Sequence, residues 1–214
     1  MKDLISLKLD QNRLSVQLFL MILLSFFLVS CEKEEINLNE SNAISAEAAI
    51  TEAIDYKAAK KMGAPAPGEE SIAAIAIDGG YDELVLALAY VDRELDAGLV
   101  DLFLNGTDQY TVFAPTDAAF QELYENLDIE EISDLPAPLV LDVLLYHVTD
   151  GRRAANSVVP PKNYRQIETL SGEKFQVSPQ GQIMAIGSTA GISVANISAS
   201  NGIIHEIDQV LLPF

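Results

Sequence analysis

Two hydrophobic rhythms divide most of the chain. Between residues 72 and 148 apolar side chains recur every three or four positions: Ile72 to Ile77, then Leu84, Leu86, Leu88 and Val91, then Leu95, Leu99, Leu102 and Leu104. That spacing predicts short amphipathic helices, broken at Gly79-Gly80 and ending at Asn105-Gly106. Tyr110-Thr111-Val112-Phe113-Ala114 is a strand by its β-branched and aromatic content, and Pro115 stops it. Thr116 then offers an N-cap, and Asp117 a favourable first-turn charge, for a helix over 117–127. Pro136 and Pro138 punctuate the start of the next helix, over 139–148. After Asp150-Gly151 the period becomes two, which predicts strands over 165–170, 173–178, 182–186, 192–197 and 203–212. Ser171-Gly172, Pro179-Gln180-Gly181, Ala190-Gly191 and Asn201-Gly202 separate them as turns. Helices first and strands afterwards, without βαβ alternation, predict an α+β domain with largely antiparallel sheets.

The N-terminal pattern is different. Lys2, Lys8 and Arg13 precede Val16 to Val29, which is apolar except for Gln17 and Ser25. This stretch reads as a secretory signal, being shorter than the roughly 20 residues a membrane-spanning helix needs. It ends Leu28-Val29-Ser30-Cys31, and Glu32-Lys33-Glu34-Glu35 follows at once. The arrangement resembles the lipobox of bacterial lipoproteins, the alternative being a free thiol. The resemblance implies removal of residues 1–30, a diacylglycerol thioether on Cys31 and acylation of the new N-terminus. Several acyl chains, at about 0.8 kcal/mol per buried CH₂, anchor far more firmly than one. Lys33-Glu34-Glu35 is also similar to the acidic signal that sends some such proteins to the outer face of the outer membrane, although an ordinary acidic linker reads the same. The expected location is the bacterial cell envelope, as an outer-membrane lipoprotein, with surface exposure left open. Residues 31–68 form an acidic and Ala-rich linker with a marginal helix in it, closed by Ala64-Pro65-Ala66-Pro67-Gly68. The folded domain is then 69–214.

Composition narrows the chemistry. The 214 residues hold 13 Lys+Arg against 32 Asp+Glu, a net charge of −19, which argues against nucleic acid as a partner. One cysteine excludes a disulfide within the chain and a cysteine-built zinc site. The acids are uneven: residues 68–141 carry seventeen of them and only Arg93 against them, whereas 142–214 carry six with five basic residues. Arg152, Arg153, Lys162 and Arg165 therefore stand out as a basic segment able to meet an anionic glycan or the acidic face of a second copy, beside the plainer reading that the acids keep the surface soluble. No nucleophile elbow, dinucleotide loop, Walker A loop or His-Glu-x-x-His occurs. Asp92, Glu94 and Asp96 make a poor calcium loop, since Ala97 and Phe103 fall where Gly and a closing Glu are needed.

Four segments then carry a family resemblance. Tyr110 to Phe120 (YTVFAPTDAAF) and Asn201 to Pro213 (NGIIHEIDQVLLP) resemble the two signatures of the fasciclin-like domain family, with Leu144-Leu145-Tyr146-His147-Val148 and Thr169-Leu170-Ser171-Gly172 between them in the family's order. The resemblance covers about residues 69–214. It implies a wedge of two largely antiparallel sheets with a cluster of N-terminal helices, a role in adhesion or extracellular recognition, and no reaction or cofactor. Thr111, Phe113, Pro115, Thr116, Asp117, Phe120, Asn201, Gly202, His205 and Asp208 are the motif residues with structural readings. In some animal members the Tyr-His segment contributes to receptor binding, which makes Tyr146 and His147 candidate contacts. The acidic Asp-Ile contact of those members is Asn196-Ile197 here, and packing is the plainer role. His147 and His205 have a metal or catalytic reading with Asp117 or Asp208, against one in which each imidazole satisfies buried backbone groups. The expectation is a lipid-anchored, non-catalytic domain that touches an extracellular protein, a polysaccharide or another copy of itself, without a metal. The alternative is a small-ligand carrier or sensory module using a cleft between helices and sheet.

Overall fold

The computed structural model describes residues 65–214. The apolar run, Cys31, Lys33 to Glu35 and the Ala-rich stretch lie outside the described residues, with the expectations placed on them.

The first three helices are α1 (Ile72–Asp78), α2 (Asp82–Leu95) and α3 (Leu99–Asn105). The Ser71 hydroxyl caps α1 by accepting from the Ala74 N–H at 3.3 Å. Asp96 adopts a left-handed conformation (φ 53°) and ends α2. Both carboxylate oxygens of Asp92 then accept from the N–H groups of Leu99 and Val100, at 2.8 Å each. The apolar pattern over 95–104 is therefore split at 96–98, and Asp92 of the acidic run caps the start of α3 rather than facing a cation. On α2, Leu84, Ala87, Leu88 and Val91 are buried, but Leu86 lies off that stripe and is 57% exposed.

Strand β1 (Tyr110–Pro115) leads into α4 (Asp117–Leu127), whose N-cap Thr116 accepts from the Ala119 N–H at 3.3 Å. Asp117 Oδ1 accepts from the Glu83 N–H at 3.0 Å, which ties α4 to the start of α2. A 3₁₀ turn, η1 (Ile132–Asp134), precedes α5 (Ala137–Tyr146). Helix α5 begins two residues before the expected start, because Pro138 sits in its first turn where a missing N–H is harmless. It ends at His147, and Val148 already belongs to β2 (Val148–Asp150). A single turn, α6 (Ala155–Val158), follows. The remaining strands are β3 (Arg165–Glu168), β4 (Lys174–Val177), β5 (Gln182–Met184), β6 (Thr189–Gly191), β7 (Ile197–Ala199) and β8 (Gly202–Ile207).

These elements form an α+β fold of two four-stranded sheets, in the orders β2-β1-β8-β7 and β3-β4-β5-β6. Pairing is antiparallel throughout except at the centre of the first sheet, where β1 and β8 run parallel from Tyr110↔Gly202 to Pro115↔Ile207. A period of two marks a strand but not its direction, so this parallel pair is an addition to the expected topology. The strand expected over 192–197 is interrupted: Ile192 makes one bridge to Ile207, and Asn196 has φ 68°. The strand expected over 203–212 stops at Ile207. The sheets meet along β2–β3, where the Leu170 N–H donates to the Val148 carbonyl (2.8 Å) and Thr149 Oγ1 to the Glu168 carbonyl (2.7 Å).

Two apolar cores result, one on each side of the β1–β8 pair. Val112, Ala114 and Ile204 face the helices, with Leu84, Val91, Phe103, Phe120 and Leu144. Phe113 and Ile207 face the second sheet, with Tyr146, Ile167, Phe175 and Ile183. Phe113 meets Phe175 edge-on at 5.1 Å between ring centroids. The expected boundary stretch is itself bonded to the domain: the Gly68 N–H donates to the Ala199 carbonyl (3.2 Å) and the Ser200 N–H to the Glu70 carbonyl (2.7 Å), along the free edge of β7.

The parallel pair explains Gly202. Its φ is not positive, and the bend reading gives way to one of close approach: a methyl group there would overlap the Tyr110 carbonyl oxygen and lie 2.7 Å from Ile72 Cδ1. Gly172 is the converse case, with φ 88° and nothing near an added methyl. Gly202→Ala is expected to destabilise the domain by about 3 kcal/mol and Gly172→Ala by about 1 kcal/mol, measured by urea unfolding. Equal effects would remove the close-approach account.

Candidate functional site

The two histidines are the groups with most chemical potential, and both are consumed internally. His147 caps α5: its Nδ1–H donates to the Val143 carbonyl at 2.7 Å, one of the carbonyls left open at the helix end. Its Nε2 accepts from the Leu211 N–H at 2.8 Å, which fastens the segment after β8 to the helix. His205 Nε2–H donates to the Arg153 carbonyl at 2.9 Å, and its Nδ1 accepts from the Asn196 N–H at 3.4 Å. Each imidazole thus has one N–H donating and one lone pair accepting, the neutral form. Burial lowers both pKa values to about 4, against the raising effect of the carbonyl each ring donates to. A metal would have to take lone pairs already bonded to backbone N–H groups. Asp117 and Asp208 do not join the rings; Asp208 Oδ1 accepts from the Gly191 N–H at 2.6 Å. Among the described residues no group of three or more His, Cys, Asp or Glu is placed to hold a metal ion.

Tyr146 and His147 are not available to a partner in this structure. Tyr146 is fully buried, its hydroxyl donating to the Lys174 carbonyl at 3.1 Å and its ring edge-on to Phe175. Burial raises its pKa. Both residues are packed inward instead, Tyr146 in the core against the second sheet and His147 on the helix side beside Leu144.

The basic segment is largely structural as well. Arg152 reaches back across β8: its Nη1 donates to the carbonyls of Ala199 (2.9 Å) and Gly202, and its Nη2 to Ser198 Oγ and to the carbonyls of Pro65 (3.4 Å) and Ala66 (3.3 Å). Its Nε is the one buried side-chain nitrogen or oxygen without a hydrogen-bond partner among the described residues. Burial lowers its pKa. Arg153 donates from Nε to the Asp150 carbonyl, and Arg165 from Nη1 to the carbonyls of Asn156 and Ser157. Only Lys162 of the four is fully outward. The basic pole expected from composition is therefore much reduced, since Arg152 binds backbone carbonyls of distant segments and Arg153 and Arg165 bind carbonyls close to them in the chain.

The other motif residues are likewise joints. Thr111 Oγ1 donates to the Gly151 carbonyl (2.6 Å) and accepts from the Arg153 N–H (2.8 Å). Buried Asn201 accepts from the Ile72 N–H and donates to the Phe103 carbonyl, both at 2.9 Å, so it joins the start of α1 to α3. The sequence reading missed two carboxylates of this kind: Glu206 accepts from the Tyr81 hydroxyl (2.9 Å) and Glu83 from the Tyr124 hydroxyl (2.7 Å). Burial and the neighbouring carboxylate raise both tyrosine pKa values. Partners more than forty residues apart leave no mark in local spacing. By contrast Glu122, Glu125, Asp128, Glu130, Glu131 and Asp134 are all exposed on α4 and around η1. Behind α4, between α2 and α5, lies an apolar cavity of about 120 Å³.

This fold and its motif geometry accompany a family assignment. The fasciclin domain family model matches residues 86–213, and the chain belongs to that family. It is 34% identical over 133 residues to the immunogenic protein MPB70 of Mycobacterium bovis, covering 61% of this chain and 64% of that protein. It is 29% identical to the transforming growth factor-beta-induced protein ig-h3 of Sus scrofa (65% of this chain, 19% of that protein) and 29% identical to human periostin (51% and 13%). The chain thus spans less than two thirds of the length of these relatives. A FAS1 domain pair from the insect cell adhesion molecule fasciclin I aligns with a TM-score of 0.46 and 17% identity, over 63% of this chain and 46% of that one.

Two measurements follow. Because the histidines bind protons near pH 6.5 when unfolded and near 4 when folded, the unfolded state takes up more protons between those values. Through the histidines, stability is expected to be flat between about pH 7 and 9 and to fall as pH drops from 6.5 towards 4, by roughly 2 kcal/mol per histidine at pH 4.5. The carboxylates add their own slope, so the readout is the difference from His147→Gln and His205→Gln, whose unfolding midpoints should depend less on pH in that window. For the basic segment, Arg152→Met is expected to lower stability by about 2 kcal/mol and Lys162→Met by less than about 0.5 kcal/mol in urea unfolding. Equal losses would return Arg152 to the surface role.

Proposed function

We propose that this protein is a non-catalytic recognition domain held at the bacterial cell envelope by acyl chains on Cys31, where it contacts an extracellular protein or polysaccharide. The observation that carries the reading is the inward use of its reactive groups: both imidazoles and the Tyr146 hydroxyl are buried and bonded to backbone. A catalytic acid or base must reach the proton it moves, and these three are enclosed by their own fold. Membership of the fasciclin family supports the same direction. What remains free for contact is the outer surface, where the helical side is strongly acidic and Lys162 is the exposed member of the basic segment. Charged contacts of that kind set encounter rate and partner choice more than depth of binding. A second copy is one such partner, through Lys162 of one molecule and the acids around η1 of another.

The test is binding of the full chain to surface polysaccharide and envelope proteins of its own host, measured in low salt and in about 0.5 M salt, where the Debye length falls to a few ångströms. Saturable binding that weakens several-fold with salt and is lost on reversing Glu122 and Glu125, or Lys162, is the expected result. Absence of binding to any envelope component, or turnover that disappears in folded His147→Gln, would overturn the reading. Protease treatment of intact cells reports separately on surface exposure.

A further inference from the structure

The cavity behind α4 has a composition that selects a ligand. Its wall is contributed by α2, β1, α4, η1, α5 and the segment after β8, and every side chain on it is apolar except His147. His147 presents no unmet polar group there, since Nδ1 is held by the Val143 carbonyl and Nε2 by the Leu211 N–H. A volume of about 120 Å³ corresponds to the liquid volume of about four waters, each of which needs two to four polar partners. The wall supplies none, so water is a poor occupant. An apolar cavity of about 150 Å³ in an unrelated protein stays dry and takes up benzene or xenon, which sets the scale of what fits.

The opening is apolar as well. Leu127 at the end of α4 and Phe214 both line the cavity and are 45% and 59% exposed. Exposed apolar groups at the mouth of an apolar cavity give a hydrocarbon a continuous path from water. The backbone of the segment after β8 is fixed where it lines the cavity: the Leu212 N–H donates to Ser188 Oγ (2.9 Å) and the Leu212 carbonyl accepts from the Gly187 N–H (2.9 Å).

We infer that the cavity between α2, α4 and α5 is a binding site for an uncharged hydrocarbon group of about six carbons, either a free small molecule or the end of a lipid acyl chain. Selection rests on exclusion: any hydroxyl or charge on the buried part would lose its water without gaining a partner. This inference is independent of the envelope partner proposed above and stands or falls separately.

The experiment uses the full chain with isotope-labelled methyl groups, titrated with benzene, with phenol, and with a lysophosphatidylcholine below its micelle concentration. Benzene is expected to shift the methyl signals of Leu84, Val140, Val143 and Leu144, and to raise the melting temperature by about 5 °C at a hundredfold excess over its Kd. Phenol is expected to bind at least about tenfold more weakly. The same methyl shifts with the lysolipid identify an acyl chain as a source of the ligand; shifts with benzene alone identify a free molecule. Val143→Phe, which fills the space, is expected to abolish the benzene response. Should that variant not fold, xenon uptake by the unaltered chain, reported by the same methyl groups, replaces it. No shift of these methyls with benzene or xenon, or an unchanged benzene response in folded Val143→Phe, would overturn the site and leave only a packing void.

Discussion

The parallel pairing of β1 with β8 is the constraint on which the rest of the domain hangs. It joins residues 110–115 to 202–207, and every other described element from α4 to β7 lies in the connection between them. Because side chains alternate across a strand, the pair supplies both cores at once: Val112, Ala114 and Ile204 to the helices, Phe113 and Ile207 to the second sheet. A strand buried on both faces reads as a continuous apolar run, and Val112 to Ala114 and Ile203-Ile204 do. The close approach of Gly202 to Tyr110 sets the register at one end, and Asn201 beside it fixes α1 and α3. Helix packing and sheet pairing therefore share a single hinge of covalent and hydrogen-bonded structure at 201–202.

Polar groups inside the fold work as connectors between elements that the apolar cores alone would leave in loose register. His147 holds the last carbonyls of α5 to the segment after β8, His205 holds β8 to the loops at 153 and 196, and Arg152 draws together 65–66, 198–199 and 202. Unpaired buried polar groups are costly, so each of these connections is specific: a shifted register would strand an imidazole or a guanidinium without partners. Neutral histidines suit the purpose because a single ring both donates and accepts.

Element type was legible in the sequence because hydrophobic period is a local property. The helices at 72–78, 82–95 and 117–127, strand β1 and the turns at 171–172 and 179–181 were all visible in that way. What was not legible depends on distance along the chain. The parallel direction of β1 and β8, the carbonyl cage around Arg152 and the Glu206–Tyr81 bond all join residues brought together only by the finished fold. The break at Asn196 and the early end of β8 fall inside stretches rich in Ile, Val and Leu, whose composition favours strand on both sides of the break. The basic segment was misread for a related reason. In a chain this acidic a cluster of arginines looks like a surface pole, whereas backbone carbonyls, which carry no sequence signature, are its partners.

Turning polar chemistry inward changes what the fold can do. Binding must then come from surface charge, which is imprecise and salt-sensitive, or from apolar space, which selects by size and by the absence of polar atoms. This domain has both, on opposite sides of α4: exposed acids along its outer face and the cavity behind it. Residues Glu122 and Leu123 are neighbours in sequence, one facing solvent and the other the cavity. Occupancy of the cavity would therefore act on α4 from behind, by stiffening the helix that presents the acidic face. A ligand and a surface partner that both favour the same position of α4 must then strengthen each other's binding by equal factors, since coupling between two equilibria is reciprocal.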